Sequence, residues 1–116
     1  MSRTQLMKGL VLAIVLSCPA SRAYAQDEAQ VKKGQEVYAA QKCSTCHSIE
    51  GKGSKKNPLD GVGKKLSADD IRSWITHPKD AAAKAKSTKK PPMPDKYGKL
   101  PAADLDALVA YMQSLK

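Results

Sequence analysis

Apolar residues along this chain fall at helical rather than strand spacing, most clearly towards its two ends. Val31, Gly34, Val37 and Tyr38 recur at intervals of three and four, a stripe of apolar or small positions that predicts a helix over residues 26–41. Leu105, Leu108, Val109, Met112 and Leu115 repeat the pattern in the last segment, with Tyr111 flanking the stripe. Pro101 stands near the start of this second helix, where its missing N–H does no harm. A glycine inside a helix costs ~1 kcal/mol relative to alanine, so Gly34 implies close approach by another element. The two terminal helices are therefore expected to cross at Gly34.

The middle of the chain carries one helix with a readable beginning. Ser67 with Asp70 three residues later resembles a capping box, and Leu66 and Ile71 occupy the staple positions around it. This predicts a helix over residues 68–76, ended by Pro78, which disfavours helical backbone at His77. Residues 50–65, rich in Gly, Lys, Asn and Pro, read as a loop. The Ala/Lys segment from Lys79 to Lys90 reads as a solvated helical turn plus loop. No segment alternates with period two for long enough to build a sheet, and there is no internal repeat. The expected fold class is all-α, with three to four short helices.

Directly after the first helix comes Cys43-Ser44-Thr45-Cys46-His47. A Cys-x-x-Cys-His pentad is the attachment signal for a c-type haem. Thiols three residues apart on one helical turn point the same way and can each add to one vinyl group of the porphyrin, while the adjacent His47 reaches the iron. Two other readings of Cys-x-x-Cys fit less well. A structural zinc needs four ligands, and beyond the pentad the processed chain offers only His77. A thioredoxin-like motif follows a strand in a βαβ unit, whereas helix precedes Cys43 here. One covalent haem c, held by Cys43, Cys46 and His47, is the expected cofactor.

Residues 1–25 read as an address. Arg3 and Lys8 form a basic n-region, Leu10 to Leu16 an apolar h-region, and Ala23-Tyr24-Ala25 a small-x-small cleavage site. The expected organisation is a cleaved signal peptide, 1–25, followed by one domain, 26–116, in the periplasm. The h-region falls well short of the ~20 residues of a spanning helix, so no stable membrane insertion is expected. A minor alternative is lipid anchoring at Cys18, because Val15-Leu16-Ser17-Cys18 loosely matches a lipobox, although Leu16 is unusual at its position.

Cleavage changes both charge and core. Arg3, Lys8 and Arg22 leave with no acid, so the formal charge falls from +9 to +6, and two haem propionates would lower it to about +4. Domains of this size bury only ~60% of their extended surface and are marginal without help. The chain has no Phe and one Trp, which fits a core filled by haem. Both remaining cysteines are consumed by the cofactor, so no disulfide is expected.

The chain resembles the class I c-type cytochromes, specifically the small bacterial monohaem members, over essentially the whole processed length. Gly34-x-x-x-Tyr38 followed by Cys43-x-x-Cys46-His47 is similar to the family's N-terminal helix and haem site. Leu108-Val109-Ala110-Tyr111-Met112 is similar to its C-terminal helix, and Pro91-Pro92-Met93-Pro94 to its methionine-bearing distal loop. The resemblance implies the cytochrome c fold around the haem. It also implies a soluble, non-enzymatic, monomeric one-electron carrier. The family's Gly-Pro-x-Leu run, whose proline carbonyl accepts the proximal histidine N–H, is here Asn57-Pro58-Leu59, leaving Asn57 or Pro58 as acceptor. Trp74 sits where many relatives place an aromatic beside the distal ligand.

The sixth ligand separates a carrier from a reactive haem. Met112 lies on a core stripe, where methionine usually fills gaps, whereas Met93 stands in a loop whose prolines restrict the backbone that must be held. Met93 is the expected distal iron ligand opposite His47, with His77 as rival. The alternatives are a haem-c subunit of a periplasmic dehydrogenase, or a five-coordinate sensor or peroxidase-like protein if Met93 does not ligate. The last would need a distal acid/base group, for which only His77 could serve.

Lys52, Lys55, Lys56, Lys64 and Lys65 precede the third helix, and Lys79, Lys84, Lys86, Lys89 and Lys90 precede Met93. In the resembled fold both segments border the exposed haem edge, which implies steering towards acidic redox partners: an oxidase, a dehydrogenase or a bc1-type complex. No nucleic-acid partner is expected, because the lysines have no aromatic stacking positions among them.

Overall fold

The computed structural model describes the backbone from Ala20 and the side chains from Asp27 to Lys116. Residues 1–19, including Cys18, lie outside the described residues, and of residues 20–26 only the helical backbone is described. The elements in order are α1 (Ala20–Ala40), a 3₁₀ turn (Cys43–Thr45), β1 (Ser48–Ile49), β2 (Lys52–Gly53), α2 (Val62–Lys65), α3 (Ala68–Thr76), α4 (Pro78–Lys84), a second 3₁₀ turn (Asp95–Lys99) and α5 (Ala102–Ser114). The fold is all-α in substance. Its one sheet among the described residues is a two-residue antiparallel hairpin pairing Ser48 with Gly53 and Ile49 with Lys52.

The packing centres on the crossing of α1 and α5. Gly34 is buried, and a Cβ built on it would land on the carbonyl oxygen of Ala107 and against Cβ of Tyr111. Ala107 is only 1% exposed, so two small residues let the helix backbones touch. One turn further along α1, Tyr38 meets Tyr111 edge to face, ring centroids 5.7 Å apart, a favoured arrangement of two ring quadrupoles. Lys33 and Asp104 add an ion pair at 3.3 Å, which on an exposed surface contributes little. Val37 from α1 and Leu105, Leu108, Val109 and Met112 from α5 are buried here and join Ile71 and Ile75 of α3 in one cluster.

The predicted helix at 68–76 is present with its predicted start. The Ser67 hydroxyl accepts the Asp70 N–H at 3.1 Å, Ile71 is buried, and Leu66 packs against the same core. Asp69 and Asp70 place negative charge in the first turn, where the helix dipole favours it. Arg72 donates to Asp106 at 2.6 Å, tying α3 to α5. Pro78 does end α3 at His77, but it also opens α4 as its first residue, a position suited to proline's fixed φ and missing N–H.

The structure departs from the sequence pattern in the segment read as a loop. Residues 50–65 contain β2 and the four-residue α2, so among the described residues five α-helices stand where three to four short ones were expected. Both additions are too short to show periodicity and are held from outside. The Gly63 N–H donates to the Leu115 carbonyl at 2.8 Å, Gln113 Nε2 donates to the Leu66 carbonyl at 3.0 Å, and a Cβ on Gly63 would strike the Gln113 carbonyl. Leu115 itself lies just past the end of α5. Tertiary contact with the end of α5, rather than local preference, makes α2 a helix.

Gly34→Ala in the haem-loaded protein is expected to cost about 1–3 kcal/mol, the range for overpacking a close contact. Thermal unfolding checks it: for a domain this size the melting temperature should fall by roughly 4–8 °C per kcal/mol, with the haem linkage intact.

Candidate haem site

The turn that follows α1 presents the pentad. Lys42 adopts left-handed backbone, φ 56°, and ends the helix. The N–H groups of Cys46 and His47 then both donate to the Cys43 carbonyl, at 3.2 and 3.0 Å. This single tight turn brings Cys43, Cys46 and His47 onto the wall of one cavity of about 600 Å³, within the size range of small-molecule and cofactor sites. Cys43 is half-buried and Cys46 exposed, both with free thiols, and burial pushes the Cys43 thiol up from its ordinary value. Ser44, between them, is backed by the residue that follows β2: Ser54 N–H donates to the Ser44 carbonyl at 3.0 Å. Gly53, at φ +105°, lies where any Cβ would strike the His47 carbonyl.

His47 is oriented by its neighbours. Its Nδ1 lies 3.0 Å from the carbonyl oxygen of Asn57; a carbonyl can only accept, so Nδ1 carries the proton and Nε2 keeps its lone pair for a metal. Of the two acceptors left open by the sequence, Asn57 makes this contact. The Asn57 segment is pinned in turn: Leu59 N–H donates to the Ser48 carbonyl at 2.8 Å, and Asp60 Oδ1 accepts the Glu50 N–H, also at 2.8 Å.

The rest of the cavity wall comes from distant segments. Ile71, Trp74 and Ile75 of α3, Leu108 and Met112 of α5, and the loop containing Met93 all line it. Met93 is half-buried and packs against the core, and Trp74 shares the cavity with it. Both methionines after residue 25 therefore reach the cavity, Met112 as a buried member of the α5 stripe. His77 is exposed at the α3–α4 corner, its Nδ1 2.8 Å from the Thr76 hydroxyl, and lies outside the cavity wall. Among the described residues no three His, Cys, Asp or Glu side chains are grouped so as to hold a metal ion by themselves.

Of the ten lysines singled out in the two flanking segments, Lys89 lines the cavity; Lys42 and Lys96, not among them, line it as well. Lys42 follows the end of α1 and Lys96 lies in the second 3₁₀ turn, so neither belongs to a lysine-rich loop. Lys89 Nζ also donates to the Lys56 carbonyl at 3.2 Å, tying the two lysine-rich segments together. Tyr38 and Tyr97 are further wall residues that the sequence did not assign to the site. The Tyr38 hydroxyl is buried with no hydrogen-bond partner among the described residues. Burial, reinforced by nearby Cys43, Tyr111 and Asp60, pushes it up to about 12.

A largely apolar cavity with two thiols on one turn, an imidazole offering Nε2 and a thioether on another segment has the donor set of a covalent haem. The cytochrome c family model matches residues 31–116, from within α1 to the last residue. The chain belongs to the cytochrome c family, and haem c is its covalently bound cofactor. Comparison with curated proteins and with solved structures found no match.

Proposed function

We propose that this cytochrome c domain is a soluble one-electron carrier of the periplasm, with its haem attached through Cys43 and Cys46 and its iron held between His47 and Met93. The observation that carries the proposal is the shared cavity: His47, with Nδ1 committed to Asn57, and Met93, from the proline-rich loop, line the same space. When bound, haem c supplies an iron that gains and loses a single electron. His47 offers Nε2 to that iron in a fixed tautomer. Met93 offers a soft thioether, which favours the ferrous state and fills the position that peroxide or dioxygen would otherwise take. The apolar side chains of α3 and α5 keep water from the cavity and the local dielectric low. The exposed position of His77 favours this reading over a five-coordinate sensor or peroxidase-like protein, which needs an acid/base group beside the iron.

Export is the other half of the proposal. Residues 1–25 are a signal peptide, the chain starts at Gln26 after cleavage, and lipid anchoring at Cys18 is the minor alternative. Among the described residues no helix is long and apolar enough to cross a membrane. The partners are acidic redox proteins, an oxidase, a dehydrogenase or a bc1-type complex, met as a monomer. Lys42, Lys89 and Lys96 at the cavity, with the exposed lysines of the two flanking segments, supply the attraction.

Met93→Ala should abolish the weak sulfur-to-iron absorption band of the ferric protein, lower the reduction potential and let the ferrous protein bind carbon monoxide. Met112→Leu, a volume-conserving swap, should do none of these and cost under ~1.5 kcal/mol. Ready carbon monoxide binding by the unaltered protein would overturn Met93 ligation. Electron transfer to an acidic partner should slow steeply as salt rises past ~0.1 M, where the Debye length is about 10 Å, and the slope should flatten in a variant with Lys42, Lys89 and Lys96 changed to Gln. Intact mass of the exported protein should correspond to one haem on a chain beginning at Gln26; a diacylglyceryl chain beginning at Cys18 would replace the cleaved form with the lipoprotein.

A further inference from the structure

We infer that the side chain of Asn57 is a positioning residue for the iron's histidine, gripping the chain on both sides of that ligand. The inference rests on His47 being the proximal ligand.

Asn57 touches three successive residues. Its backbone carbonyl accepts from His47 Nδ1 at 3.0 Å and from the Ser48 N–H at 3.4 Å. Its side-chain Nδ2 lies 3.3 Å from the Cys46 carbonyl oxygen, and since that oxygen can only accept, the amide nitrogen is the group facing it. A residue without a side-chain amide would supply the carbonyl but no second donor. Here the same residue holds the peptide before His47, the ring of His47 and the peptide after it. The Cys46 carbonyl belongs to the peptide that joins the second thiol to the ligand, so the amide bond fixes the ring against its covalent anchor. The Ser48 contact belongs to a short backbone bridge, closed by Leu59 N–H to the Ser48 carbonyl at 2.8 Å, and Ser48 is only 3% exposed.

This arrangement has a direct consequence for the iron. A hydrogen bond at Nδ1 raises the basicity of Nε2 and favours the ferric state, to an extent that depends on how well the acceptor is held. The amide arm keeps the Asn57 carbonyl in register with the ring. Without it the carbonyl is still present but held only through the backbone bridge, the Nδ1 bond lengthens on average, and the ferrous state gains.

The test uses the haem-loaded protein. Asn57→Ala should accelerate exchange of the His47 Nδ1 proton with deuterium by about tenfold, and shift the equilibrium towards the ferrous state by up to about tenfold, or ~59 mV for a one-electron couple. Ser54→Ala alters the same loop outside the cavity wall and leaves its own backbone bond and both Asn57 bonds in place, and should leave both readouts unchanged. Wild-type exchange and potential in Asn57→Ala, or equal changes in Ser54→Ala, would overturn the proposal. If Asn57→Ala does not accumulate with haem, the unaltered protein decides: protected Asn57 Nδ2 hydrogens support the clamp, and exchange at the rate of a free side-chain amide overturns it. The His47 ring resonances of the unaltered ferrous protein, displaced by the porphyrin ring current, separately report ligation. Their absence would sink the ligand assignment, whereas failure of the clamp alone leaves them in place.

Discussion

Everything in this domain depends on how closely two helix backbones approach at Gly34. Because Ala107 faces it and neither residue has a side chain to hold the helices apart, α5 lies directly on α1. That contact aims the end of α1, and with it the turn that presents Cys43, Cys46 and His47. It also turns Leu108 and Met112 of α5 into the cavity from the other partner of the crossing. A larger residue at either position would displace both walls at once, since the pentad and the α5 stripe are each within a few turns of the crossing.

The cavity takes its polar order from one side and its apolar bulk from another. On the histidine side, backbone and side-chain hydrogen bonds run from Ser44 through Ser48 to Asp60, so the imidazole is held by a network in which each member has a partner. From α3 and α5 come Ile71, Ile75 and Leu108, which offer surface and no hydrogen bonds. Burial of such side chains contributes roughly 1.5–3 kcal/mol each.

Legibility in the sequence followed the physical origin of each feature. The terminal helices and the helix at 68–76 carry their own periodicity and, at Ser67, their own cap, so local rules suffice for them. Gly34 was readable because glycine within a helix is costly and needs a reason. The pentad was readable because covalent chemistry fixes its spacing. The hairpin at 48–53 and α2 were not, because each is set by distant partners: Gly53 by the backbone around His47, Gly63 by the end of α5. Ala107 carries no signal in the sequence, because its role is to be small, which hydrophobic patterning does not register. The choice between Asn57 and Pro58 needed the fold, since it depends on which carbonyl the ring meets.

The tie between Lys89 and the Lys56 carbonyl bears on how the molecule comes apart. His47 is held by a bridge of main-chain bonds around a buried serine, whereas the exposed segment leading to Met93 is joined to the other lysine-rich segment by a solvent-facing ammonium and to the core by the Met93 side chain. Local opening draws on the least protected contacts first, so the histidine wall, with its main-chain bonds, is the part of the cavity that opens last.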